Sequence, residues 1–343
     1  MRPAVAGAWS AALVAGSMLA ACSTPAPKAA TQTTGQAAAR TTPNVPAWIF
    51  PLATPVVRTA VAAPETAKPV HLPNSTEEFT RAQLSNRFVA PDWYPRSHGP
   101  MPEVVARGRA PDLYACGYCH TPGGQGRPEN APLAGLPSEY IVQQVTDFQS
   151  GARRALLPGV FPPADLMIHE AMKTLPAEAQ SAAEYFSREK LRPRVIVLER
   201  SSVPRTQVVG SVYTPIANGG EEPLGTRLIE LARDGEQHEN RDERMRYVAY
   251  VPRGSVARGR VLARTGDRGL TIACVTCHGN KLQGMGAIPP LAGRSPSYLL
   301  RQLLAFQTGA RSGVTAQPMQ PVVANLDIGN MIDAAAFAAS LPP

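Results

Sequence analysis

Cys116-Gly117-Tyr118-Cys119-His120 and Cys274-Val275-Thr276-Cys277-His278 are one five-residue pattern, CxxCH, written twice in a chain of 343 residues. Two thiols three positions apart lie on the same side of a short turn, and the residue behind them adds an imidazole. Two such pairs can meet as a four-thiolate zinc site, or work separately as redox dithiols. Neither chemistry uses a histidine directly after each pair, and neither motif sits beside the βαβ pattern that accompanies a redox CxxC.

Covalent attachment of haem uses all three side chains. Each thiol adds to one vinyl group of the macrocycle, and the imidazole takes an axial position on the iron. On this reading Cys116 and Cys119 anchor a first haem c with His120 as proximal ligand. Cys274, Cys277 and His278 repeat the arrangement for a second.

The fifth cysteine, Cys22, has a different setting. A charged start at Arg2, an apolar run from Ala4 to Ala21 and the end Leu19-Ala20-Ala21-Cys22 resemble a bacterial lipobox. The expectation is a signal peptide over 1–22, cleaved before a lipidated Cys22; the competing reading is an uncleaved membrane anchor. Ser23 rather than Asp after the cysteine favours an outer-membrane address, on the periplasmic side of a bacterial membrane. Several acyl chains make a stable anchor. Export agrees with haem c, which bacteria attach outside the cytoplasmic membrane.

The net charge of +8 and pI near 9.5 come with no nucleic-acid motif. They suit docking to acidic redox partners or anionic head groups, by attraction that salt weakens. Residues 23–74 are rich in Ala, Pro and Thr with almost no charge, the composition of an extended, disordered tether.

The rest of the chain repeats itself. Pro132-Leu133-Ala134-Gly135 and Pro290-Leu291-Ala292-Gly293 both begin sixteen residues after the first cysteine of their motif. Tyr140 and Tyr298, Phe148 and Phe306, and Gly151-Ala152-Arg153 and Gly309-Ala310-Arg311 keep the same register. Upstream, Val105-Ala106-Arg107-Gly108-Arg109 recurs as Val256-Ala257-Arg258-Gly259-Arg260, with seven more residues before the second cysteine.

Within each copy Tyr, Gln and Phe at i, i+4 and i+8 predict an amphipathic helix, with Pro137 and Pro296 at the starts. That stripe is read as core. Last helices are expected over about 176–187 and 327–340. Between the copies, 189–252 reads as an irregular connector with short β strands such as Val195–Leu198 and Tyr247–Val251, and its charge run Glu236–Arg246 as a solvated face.

Axial ligation decides between an electron carrier and an open, reactive iron. Met319 follows the second motif on a loop and is its distal candidate. In the first copy Met167 is favoured, with His169 as competitor and Met172 as core. His71, His98 and His238 are read as surface residues.

CxxCH, Pro-Leu-Ala-Gly, the Tyr…Gln…Phe helix, Gly-x-Arg and a later methionine together resemble the class I cytochrome c domain in its tandem di-haem form. The resemblance covers about 100–188 and 253–343. It implies an all-α fold, with cytochrome c domains over 75–188 and 253–343, two haem c groups, His/Met ligation and no substrate chemistry. The function it implies is electron transfer between a dehydrogenase or quinol-oxidising complex and a terminal oxidase or reductase. The connector is longer than such tandems carry. A di-haem peroxidase or haem sensor with one open iron, or a cytochrome subunit of a dehydrogenase complex, are the competing functions.

Overall fold

The two copies of the sequence pattern become two copies of one structure. It is seen in a computed structural model that describes residues 45–52 and 68–343, all within the unit Asn44–Pro343. The signal-peptide and lipidation expectations for residues 1–22, Cys22 included, lie outside the described residues.

The first repeat contains α1 (Cys116–His120), α2 (Ser138–Gln149), α3 (Pro162–Lys173) and α4 (Pro176–Arg188). The second contains α5 (Ser255–Thr265), α6 (Val275–His278), α7 (Pro296–Gln307) and α8 (Ile328–Ser340). Their starts follow from the sequence. Pro296 opens α7 behind Ser295, whose Oγ accepts from the Tyr298 N–H at 3.2 Å. Pro176 opens α4, where the Glu178 carboxylate accepts from the Leu175 N–H at 2.8 Å. Asp327 and Asn330 close a reciprocal cap on α8.

The shared Val-Ala-Arg-Gly-Arg segment folds in two ways. In the first repeat the helix over Glu103–Ala106 stops after one turn, and Gly108 takes φ +66° ahead of Pro111. In the second nothing interrupts it, and the segment lies inside α5. Gly259 there lets α5 cross α8 closely, since a Cβ would come within 1.9 Å of the Asp333 carbonyl oxygen.

The repeats are helical as expected, and the strands expected near 195–198 and 247–251 form, but the connector is an ordered sheet and not an irregular link. β1 (Val195–Glu199), β2 (Thr206–Val209), β3 (Val212–Pro215), β4 (Ile229–Ala232) and β5 (Tyr247–Val251) form one mixed sheet in the order β1-β5-β4-β3-β2. The parallel β1–β5 pair, in register Val195↔Tyr247, joins the two ends of the connector. All of β4 is buried, and α8 packs against β1 and β5. Branched and aromatic residues on both faces explain why this stretch is a packed layer.

Two further expectations are corrected. Within the stretch read as a disordered tether, residues 45–52 are folded: Ile49 and Phe50 are 3% and 4% exposed in the core of the second repeat, and residues 69–71 pair with 78–80. Two adjacent large apolar side chains gain enough from burial to order a short segment. The charge run 236–246 is no solvated face either. His238, Asn240 and Glu243 are buried, because their polar groups find backbone and side-chain partners in the first repeat. His71 is exposed as read, whereas the His98 and His238 side chains are enclosed. Among the described residues no single helix is long and apolar enough to cross a membrane.

Candidate cofactor sites

In the first repeat, α1 carries all of CxxCH on little more than one turn. The loop after it folds back: Gly126 N–H donates to the His120 carbonyl at 2.9 Å, and Leu133 and Ala134 donate to the Gly124 carbonyl. Gly135, at φ +67°, donates to the Phe186 carbonyl at 3.0 Å and so ties Pro-Leu-Ala-Gly to α4. The second repeat repeats these bonds, with Gly284 donating to His278, and Gly293 at φ +70° donating to Ala338 on α8.

Both histidines are held alike. His120 Nδ1 lies 2.8 Å from the Ala131 carbonyl oxygen and His278 Nδ1 2.8 Å from that of Pro289. A carbonyl only accepts, so Nδ1 is the protonated nitrogen and Nε2 keeps its lone pair. Burial lowers the pKa of both imidazoles, which keeps them neutral. A neutral ring oriented through Nδ1 is the usual state of a metal-binding histidine. Burial also pushes the Cys116 thiol up to about 12 and the Cys274 thiol up to about 11.

A cavity of about 200 Å3 opens beside α1. Cys116, Cys119 and His120 line it, with Leu133, Leu136, Ile141 and Leu156 among its apolar walls. Met167, on α3, lines the same cavity. His169 does not: its side chain is 57% exposed and paired with Glu170 at 3.0 Å. Met172, read as core, is 60% exposed, because it projects from the opposite side of α3. In the second repeat His278 is buried, Cys274 and Met319 are half-buried against the same core, and Cys277 is exposed. Met319 ends a 3-10 turn over Val314–Met319.

Two thiols, an oriented imidazole and apolar walls with a thioether among them fit a covalently attached haem in the first repeat, and the second has the same donor set. Among the described residues no three His, Cys, Asp or Glu side chains group to hold a metal ion, so the two CxxC pairs do not converge on a zinc site.

The chain is 38% identical over 68 residues to cytochrome c-554(548) of Halomonas halodenitrificans, covering 82% of that protein and 20% of this one. The chain belongs to the c-type cytochromes. A c-type cytochrome holds haem iron covalently and transfers electrons with it. The cytochrome is also 27% identical over 209 residues to the thiosulfate dehydrogenase electron acceptor of Thiomonas intermedia, covering 59% of this chain and 67% of the relative. Among solved structures it is similar to thiosulfate dehydrogenase (TsdBA) from Marichromatium purpuratum, at TM-score 0.47 and 27% identity. That match covers 70% of this chain and only 39% of the other. No family model matches the cytochrome.

One group of residues was misread from sequence. Tyr140, Gln144 and Phe148, taken as core, line the cofactor cavity, and so do Arg153 and, from the other repeat, Tyr298, Gln302 and Arg311. The two arginines, tyrosines and glutamines form one hydrogen-bonded cluster between the repeats. The signal was present: a glutamine recurs in register inside an otherwise apolar stripe, and an arginine follows nine residues later in both copies.

Proposed function

We propose that this cytochrome is a di-haem electron carrier with one haem in each repeat. Cys116 and Cys119 hold the first, Cys274 and Cys277 the second. His120 and His278 are the proximal ligands, and Met167 and Met319 the distal ones. The observation that carries this reading is the position of Met167, in the wall of the cavity that His120 lines, while His169 stands outside it. Once bound, the haem iron supplies one-electron exchange, and a thioether ligand favours its ferrous state.

The chain's own groups orient and enclose. The Ala131 and Pro289 carbonyls fix the tautomer and aim of the two imidazoles. The Phe186 ring, 6.4 Å from the His120 ring centre, and the walls of α2 and α3 exclude water from the first site. By likeness to the Thiomonas relative, the donor we propose is a thiosulfate dehydrogenase, with a terminal oxidase or reductase downstream. Export and a lipid anchor at Cys22 place the exchange on the periplasmic side of a bacterial membrane, at the outer membrane.

The test is made on protein exported from a bacterial host that attaches haem c. Intact-mass measurement is expected to show two haems per chain. Carbon monoxide added to the reduced protein is expected to leave the visible spectrum unchanged on the mixing timescale. Binding at half of the haems would remove Met167 or Met319 from the ligand set and bring an open iron site forward.

A further inference from the structure

The two CxxCH segments are equivalent by sequence and unlike in setting. In the first repeat the connector lies over the motif. The Arg241 guanidinium sits 3.6 Å from the centre of the Tyr118 ring, and its Nη1 donates to the Tyr118 carbonyl at 2.9 Å. The Glu243 carboxylate accepts from the Gly123 N–H at 2.7 Å. Arg194 donates to the Gln125 carbonyl at 2.8 Å and also to that of Gly126. Residues 121–126 are all buried as a result.

Of the corresponding positions in the second repeat, Gly279 and Leu282 stay buried, but Asn280, Lys281 and Gln283 are exposed. Tyr118 is matched by Thr276, which is exposed, and Cys119 by Cys277, also exposed. Gly123, pressed against Glu243 so closely that a Cβ would meet its carboxylate at 2.8 Å, is matched by exposed Lys281. Arg127, whose side chain is 9% exposed and paired with Glu129, is matched by Met285, which is 50% exposed. Ile272, at 45%, adds a second uncovered apolar side chain beside the motif.

Charge divides the same way. Residues 253–343 hold nine Lys and Arg against three Asp and no Glu, a net +6, whereas 75–188 hold ten against twelve, a net −2. Asp267 is the only acidic residue between Arg253 and Pro290. Arg264, Arg268 and Lys281 are exposed there and make no ion pair among the described residues.

Resting on the two-haem reading, we infer that the CxxCH face of the second repeat is the port through which external proteins exchange electrons with this chain, and that the partner it fits is a redox protein with an acidic rim around an apolar centre. Electron transfer between proteins falls off steeply with the distance between cofactor edges, so a layer of connector over the first motif closes that face. The second face offers uncovered apolar contact within a cationic field, which raises encounter rates with acidic partners by about 10 to 1,000-fold at low salt. The first site then fills and empties through the second.

The probe is reduced flavodoxin, a small acidic flavoprotein that gives up one electron per encounter. Its oxidation by the ferric holoprotein is followed by stopped flow at low salt. The double variant Arg268→Glu/Lys281→Glu is expected to slow this reaction at least tenfold. Arg188→Glu, an exposed charge reversal on the first repeat, is expected to leave it within twofold. Dithionite, which needs no docking surface, is expected to reduce all three proteins equally. Equal flavodoxin rates in all three, or a larger loss in Arg188→Glu, would overturn the port. Intact mass and carbon monoxide binding on the same samples report separately on the two-haem reading, so a missing haem is not mistaken for a misplaced port.

Discussion

Arg153 and Arg311 face each other in an antiparallel bridge, and each guanidinium crosses to the other's repeat. Arg153 donates to Gln144 at 2.9 Å on its own side and to Gln302 at 2.8 Å and Tyr298 at 3.2 Å on the other. Arg311 returns the pattern, to Gln302 at 3.2 Å, Gln144 at 2.7 Å and Tyr140 at 3.2 Å. The backbones lock alongside, with Arg154 N–H on the Ala310 carbonyl and Ser312 N–H on that of Ala152, both at 2.8 Å.

Replacing Arg311 by Leu leaves the half-buried Tyr140 hydroxyl without its donor and takes one of two arginine bonds from each glutamine, a cost of about 1–3 kcal/mol. Because Gln144 and Gln302 each keep one arginine donor in either single variant and lose both in the double, Arg153→Leu/Arg311→Leu is expected to cost more than the sum of the single variants. Urea unfolding of the holoprotein reads all three. Strict additivity would mean that the cluster does not act as a unit.

Met167→Ala is expected to open one haem of two to carbon monoxide and to remove half of the sulfur–iron charge-transfer absorption. His169→Ala is expected to change neither, since that side chain stands outside the cavity. Met319→Ala is expected to act as Met167→Ala does, on the other haem.

The Phe50 ring packs edge-on against Phe161 with centres 5.2 Å apart, the Ile49 carbonyl accepts from Arg301 at 3.2 Å, and Tyr213 donates to the Trp48 carbonyl at 3.0 Å. Phe50→Ala is expected to lower stability by about 3–5 kcal/mol, the usual loss for a buried phenylalanine. A protein deleted for residues 45–52 is expected to melt at a lower temperature than one deleted for 23–44. Equal melting temperatures would show that this segment contributes nothing to the fold.

Stability should fall toward both ends of the pH scale for separate reasons. Burial alone would lower the His98 pKa, but the hydrogen bonds its ring donates to the Asp92 carboxylate and the Gly99 carbonyl raise it to about 9, above the unfolded value near 6.5. Its contribution is therefore complete below about 6.5 and lost as pH rises through 9. Burial and Arg127 hold His238 below its ordinary value, and Arg127 and His238 hold the Glu129 carboxylate below its own despite burial. Both shifts favour the folded state above the unfolded pKa, so stability declines below about 6.5 for His238 and below about 4.3 for Glu129. Thermal melts of His98→Gln across pH are expected to lose the alkaline limb and keep the acid one.

The cofactor chemistry and the repeat were legible because each is local. CxxCH needs one turn of chain, and the Pro-Leu-Ala-Gly turn needs a glycine at positive φ, so residue type and spacing are sufficient to read them. Four helices of the repeats, α2, α4, α7 and α8, were legible for the same reason, their apolar stripes or proline starts lying within single elements, whereas α3 and α5 were not read from the sequence. His238 and Glu243 read as surface because charge is a reliable sign of exposure only when no partner is supplied from elsewhere. Their partners, Glu129 and Gly123, lie more than one hundred residues away.

The sequence alone thus determined that two equivalent CxxCH segments exist, since thiols and imidazole are placed by the backbone that carries them. Only the tertiary structure decided that they differ in setting. Covering one motif with a connector sheet, pinning Phe50 into the core and crossing two arginines between the repeats all depend on which distant surfaces meet, and that is a property of packing rather than of spacing.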